Sequence, residues 1–229
     1  MIQIAIDEAG YEQGQVVIRD IHFSILRGQV VGLIGGNGAG KSTTIQTLLG
    51  IIPYSKGTLA VPNYGYVPER PILYTYYTLR EHIQLLLSLL NQDNLWPRAM
   101  EICKLFRMEN HLDEYPISFS KGMQQKVMLI LAFIPPYDFF ILDEPFMGLD
   151  PQAIRRLLQL LEQLKKEGAA ILISTHALDT AQEICNYLLC LHEGRLIRQG
   201  TFVEMQRYEG QPLLDIFDEL IEGGNNEFI

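Results

Sequence analysis

Gly35-Gly36-Asn37-Gly38-Ala39-Gly40-Lys41-Ser42 decides the fold of this chain. The run fits G-x-x-x-x-G-K-[ST] and stands between an apolar segment of strand type, residues 30–34, and a segment of helical periodicity, residues 41–49. Strand, glycine loop and helix in that order make a phosphate cradle. Glycine lets the backbone curl until successive N–H groups converge on one anion, and the N-terminus of the next helix adds positive potential there. Lys41 is expected to reach the β- and γ-phosphates, and the Ser42 hydroxyl to face Mg²⁺. Thr43 completes the stretch expected to bind nucleotide. The loop signals nucleotide binding, but does not separate a transporter from a kinase or a GTPase.

Outward from the loop, short apolar runs recur at 2–6, 16–18, 21–25, 64–67, 139–142, 170–174 and 187–191. Helical patterns alternate with them at 79–90, 97–106, 121–133, 151–166 and 178–185. Several of the runs are apolar almost throughout, as strands buried on both faces must be. The alternation predicts an α/β domain around a mostly parallel sheet. Residues 71–135 read as a helical subdomain inserted into a catalytic core of 1–70 and 136–205, with a C-terminal helix and tail over 206–229. Glu222-Gly223-Gly224-Asn225-Asn226 reads as a frayed tail.

Composition narrows the function. The net charge of −9 argues against nucleic-acid partners, which need Lys and Arg to neutralise phosphates. It leaves room for a locally positive phosphate pocket. Cys103, Cys185 and Cys190 are too scattered for a disulfide framework or a zinc site. The opening residues Met1 to Glu8 lack the basic start and apolar core of a signal peptide, and no stretch approaches the ~20 apolar residues of a spanning helix. A membrane role is therefore expected to need a separate partner.

The run Phe139-Phe140-Ile141-Leu142-Asp143-Glu144 is an apolar strand that ends in two acids. Asp143 at the tip suits Mg²⁺, directly or through water. Glu144, one residue on, points elsewhere and suits a base that polarises an attacking water.

Asp143-Glu144-Pro145-Phe146-Met147-Gly148-Leu149-Asp150-Pro151 closely resembles the Walker B and D-loop region of ABC ATPases. Upstream, Phe119-Ser120-Lys121-Gly122-Met123-Gln124-Gln125-Lys126 is similar to the ABC signature and its helix; downstream, Ser174-Thr175-His176 resembles the H-loop. The resemblance covers about the first 205 residues and implies a P-loop NTPase of ABC type. Such a fold has a RecA-like, mostly parallel core sheet, an N-terminal antiparallel β subdomain and a helical subdomain. It also implies catalytic roles for Glu144, His176 and Lys41, with Ser120 and Gly122 meeting the γ-phosphate held by a second copy in a head-to-tail dimer. Asp150 would lie at that dimer interface. Each of these has a plainer reading: Ser120 and Asp150 also suit helix caps, and His176 an ordinary loop residue. Tyr11 stands where the family's aromatic stacks on adenine, and equally suits a structural tyrosine.

Three positions depart from the family pattern. Lys121 and Met123 replace the usual glycine and glutamine of the signature, and Glu69 in Gly65-Tyr66-Val67-Pro68-Glu69 replaces the usual glutamine. Glu69 can still serve Mg²⁺. With Arg70-Pro71-Ile72-Leu73-Tyr74, these departures look like the Ecs-type exporter ATPases of Gram-positive bacteria. That implies a peripheral subunit on the cytoplasmic face of the cell membrane, bound to an integral membrane subunit. Leu73-Tyr74-Thr75-Tyr76-Tyr77 suits either a docking groove for that subunit or core packing. Two other readings stay open: a soluble ABC-type ATPase acting as an assembly or scaffold factor, and a nucleotide-gated subunit that hydrolyses little.

Overall fold

The computed structural model describes residues 1–224, with side chains described to Ile221. In chain order the elements are β1 (Ile2–Gly10), β2 (Ile18–Ile25), β3 (Val30–Ile34), α1 (Lys41–Leu48), β4 (Tyr54–Leu59) and β5 (Gly65–Val67). There follow α2 (Leu79–Leu90), α3 (Trp96–Leu105), α4 (Lys121–Phe133), β6 (Phe139–Asp143), α5 (Pro151–Lys166) and β7 (Ala170–Thr175). The chain continues through α6 (Leu178–Ile184), β8 (Tyr187–His192), β9 (Arg195–Gly200), α7 (Phe202–Met205) and α8 (Leu213–Gly224).

Six strands form one sheet in the order β5-β6-β7-β3-β8-β9. All neighbours run parallel except β9, which turns back antiparallel on β8. The strands β3, β6 and β7 are buried at every position. Side chains alternate across a strand, so both faces of this sheet must be covered. Val31, Leu33, Phe139, Ile141 and Leu172 join one core with β1, β2 and α1. Val30, Ile34, Phe140, Leu142 and Ile173 join the other, against the helices α2 to α6 and α8. The covering layer on the first face is the antiparallel sheet β2-β1-β4.

The helices follow their sequence signals. In α5, Ala153, Leu157, Leu161 and Leu164 make the buried stripe. Pro151 opens that helix, Asp150 caps it, and Lys165 and Lys166 face the negative end of its dipole. A reciprocal capping box of Thr78 and Glu81 starts α2, and Asn91 in the left-handed region ends it.

Four features differ from the sequence expectation. Of the run at 16–18 only Ile18 is in a strand, and it joins 21–25 in β2: Arg19 interrupts the apolar pattern but still pairs with Glu8 of β1, so the strand continues through it, while Val16 and Val17 lie outside any strand. The strands β4 and β9 lie on sheet edges and hold only one buried residue between them, Gly200, so they carried no hydrophobic signal. The short helix α7, held by a Thr201–Glu204 capping box, was equally unanticipated. Glu222, Gly223 and Gly224 belong to α8 and are not a frayed tail; Asn225 and Asn226 lie outside the described residues.

Candidate active site

The sheet order sets the site. In parallel sheets, ligands gather beyond the carboxyl ends of the strands. Here three adjacent strands, β6, β7 and β3, deliver Asp143, the Ser174-Thr175-His176 turn and the glycine loop to one edge. They meet in a cleft of about 490 Å³ lined by Gly36 to Thr43, Glu69, Asp143, Glu144 and His176, together with Val17 and Met147.

Gly40 caps α1 with φ 105°, a left-handed geometry that favours glycine. A Cβ there would also lie 2.7 Å from Ile18 Cγ2. Lys41 is buried, and its ammonium donates to the carbonyls of Gly35 at 2.8 Å and Gly36 at 3.2 Å. An ammonium has three N–H donors, so one is left for a phosphate oxygen. Burial pulls the Lys41 pKa below the lysine range, while Glu144, Asp143 and Glu69 oppose that shift.

Asp143 is buried at the tip of β6. Burial pushes its pKa up, the hydrogen bond from Ser174 pulls it down, and the nearby carboxylates of Glu69 and Glu144 push it up again. Glu144 is also buried and has φ 47°, unusual for a residue with a side chain. Its Oε1 lies 2.8 Å from Nδ1 of His176, whose side chain is more than half exposed. A carboxylate held by an imidazole at the mouth of a phosphate cleft can polarise a water.

Among the described residues, no three or more His, Cys, Asp or Glu side chains group to hold a metal ion by themselves. The cleft instead offers hard oxygen donors from Ser42, Asp143 and Glu69. That set fits Mg²⁺, which takes one or two carboxylates and completes its octahedron with phosphate and water.

Five of the expected residues do not line this cleft: Gly35, which borders it through its carbonyl bond to Lys41, and Tyr11, Ser120, Gly122 and Asp150. Ser120 caps α4, accepting from the Met123 N–H at 3.3 Å. Gly122 packs against the Gly148 carbonyl, where a Cβ would approach to 2.3 Å. Asp150 caps α5 through the Ala153 N–H at 2.9 Å and pairs with Lys126 at 2.8 Å. The N-terminus of α4 is thus packed against residues 145–150 of the same chain, not over its own phosphate loop. Tyr11 is 53% exposed, and its hydroxyl donates to Gln46 on α1 at 3.1 Å. Val17 and Met147 were missed from sequence, and Ser174 was named only within Ser174-Thr175-His176, without a role of its own. A valine and a methionine carry no chemical signal, and the role of Ser174 depends on β7 lying beside β6.

A phosphate loop, a strand-tip aspartate and an adjacent glutamate–histidine pair on this sheet define a P-loop ATPase. A family model described as ABC transporter matches residues 18–147. The chain is 40% identical over 230 residues to the uncharacterized ABC transporter ATP-binding protein YthP of Bacillus subtilis (strain 168), covering 97% of this chain and 98% of that protein. It is 39% identical over 229 residues to the ABC-type transporter ATP-binding protein EcsA of the same organism, covering 92% of each. A solved structure described as the ATP binding subunit of an ABC transporter matches with a TM-score of 0.89 at 36% identity, over 96% of this chain and all of that one. The chain belongs to the ABC transporter family, as an ATP-binding subunit with the family's ATPase fold.

Proposed function

We propose that this chain hydrolyses ATP to drive an Ecs-type exporter through a separate integral membrane subunit, at the cytoplasmic face of the membrane. The observation that carries the reading is the Glu144–His176 hydrogen bond at the mouth of the cleft that also holds Lys41, Ser42 and Asp143. Among the described residues no helix is long and apolar enough to cross a membrane, which is in keeping with a separate membrane partner.

In this reading the loop amides and Lys41 hold the phosphates, and Tyr11 faces the adenine. Ser42, Asp143 and Glu69 hold Mg²⁺, which when bound neutralises charge on the β- and γ-phosphates. Glu144 orients and deprotonates the attacking water, and His176 fixes the Glu144 carboxylate. Ser120 and Gly122 stand at the start of α4, where a capping hydroxyl and the helix dipole favour an anion. Because they lie away from their own phosphate loop, they are assigned to the γ-phosphate of a second copy. Two copies then close head to tail around two ATP molecules, with Asp150 near the shared interface, and hydrolysis reopens them. No nucleic acid takes part. The scaffold-factor reading has no observation in its favour. The Glu144–His176 pair speaks against a subunit that hydrolyses little.

The test is phosphate release by the purified chain with and without Mg²⁺, beside Glu144→Gln. Slow Mg²⁺-dependent turnover is expected in the wild type. A loss of about 100-fold or more is expected in the variant, on the scale of a general base. Equal rates in the two proteins would refute the assignment of Glu144.

A further inference from the structure

Ser174 touches both acids of the site. It is fully buried on β7, and the parallel register sets it beside Asp143 on β6. Its hydroxyl donates to Asp143 Oδ1 and accepts from the Glu144 N–H at 3.2 Å. Its carbonyl accepts from the same N–H at 3.1 Å. Two residues further along the chain, His176 holds the Glu144 side chain.

We infer that Ser174 is a positioning residue for hydrolysis: one hydroxyl fixes the Asp143 carboxylate and the backbone that aims Glu144. The inference rests on the function proposed above. A hydroxyl suits the place because it donates and accepts at once, which alanine cannot do. The donor on Oδ1 restrains rotation of the Asp143 carboxylate and leaves Oδ2 for another partner. Glu144 stands at φ 47°, and such a backbone persists only where its surroundings over-determine it. The two bonds from its N–H to Ser174 are part of that determination. Both hydrogen bonds of the Ser174 hydroxyl go to Asp143 and Glu144 and neither to the phosphate loop, so the side chain acts on the carboxylates and not on nucleotide capture.

The experiment uses the whole chain and Ser174→Ala. Binding of a fluorescent ATP analogue is measured in EDTA and across a Mg²⁺ titration, with kcat, KM and the melting temperature. Affinity in EDTA should match the wild type. The Mg²⁺ midpoint should rise about 10-fold, the scale on which outer partners of metal ligands act. The kcat should fall about 10–100-fold with little change in KM. A variant with wild-type midpoint and kcat would overturn the inference. So would a loss of EDTA affinity by the same factor as kcat, which marks general damage. A wild type that binds nucleotide without turning over would count against the proposed function, while the Mg²⁺ midpoint would still decide the role of Ser174.

Discussion

A methyl group at Gly122 has nowhere to go. The Gly148 carbonyl stands 2.3 Å from the place a Cβ would take, and both partners are backbone. Gly122→Ala should cost about 1–3 kcal/mol, as overpacking does, and lower Tm by several degrees. An unchanged Tm would mean that the α4 N-terminus is not packed on residues 145–150. Asp150, at the end of that segment, reports on pH. The hydrogen bonds from Lys126 and the Ala153 N–H hold its pKa down, from the ordinary 3.8 to about 2. A lowered carboxylate pKa adds stability that is complete above the unfolded value and lost as pH falls through the folded one. Asn can still cap α5 but cannot pair with Lys126. The stability gap between wild type and Asp150→Asn should therefore hold steady from neutral pH to about pH 4.5 and narrow below it. Denaturant titrations across that range check this; a gap that widens in acid would contradict it. The Asp150 side chain is half exposed, so solvent screens the pair and the gap itself should be small.

Among the elements, α2 owes its start to local chemistry. Thr78 accepts from the Glu81 N–H at 3.2 Å, and Glu81 accepts from the Thr78 N–H at 2.7 Å. Thr78→Ala should cost about 1 kcal/mol, read as a lower Tm with faster amide exchange at the first turn of α2. Elements with a strong period or a cap were legible in the sequence: α2, α4 and α5 run over the residues their patterns mark. The buried strands β3, β6 and β7 were legible as unbroken apolar runs. The strands β4 and β9 were not, because a sheet edge asks for little burial and its residues read as loop. The glycine loop, Asp143 and Glu144 could be named from one stretch each. The role of Ser174 could not, although its motif was visible, because its contact with both acids shows only once β7 is known to sit between β3 and β6.

At the scale of the molecule, the described site divides in two. The cleft gathers Lys41, Asp143, Glu144 and His176, whereas Ser120 and Gly122 lie elsewhere on the same chain. A single copy therefore carries a phosphate cradle and, apart from it, a capped helix start suited to an anion. The proposed function joins these halves by pairing two copies head to tail. Residues 145–150 link them within each copy: they follow Glu144 directly, contact Gly122 and end at the Lys126–Asp150 ion pair. The most direct test is the size of Glu144→Gln in ATP, measured by gel filtration. Nucleotide should bind but water should not be activated, so the account predicts a stable dimer in Mg²⁺ and ATP and a monomer in their absence. A variant that binds ATP tightly and stays monomeric would contradict the account, because the start of α4 would then have no nucleotide to meet.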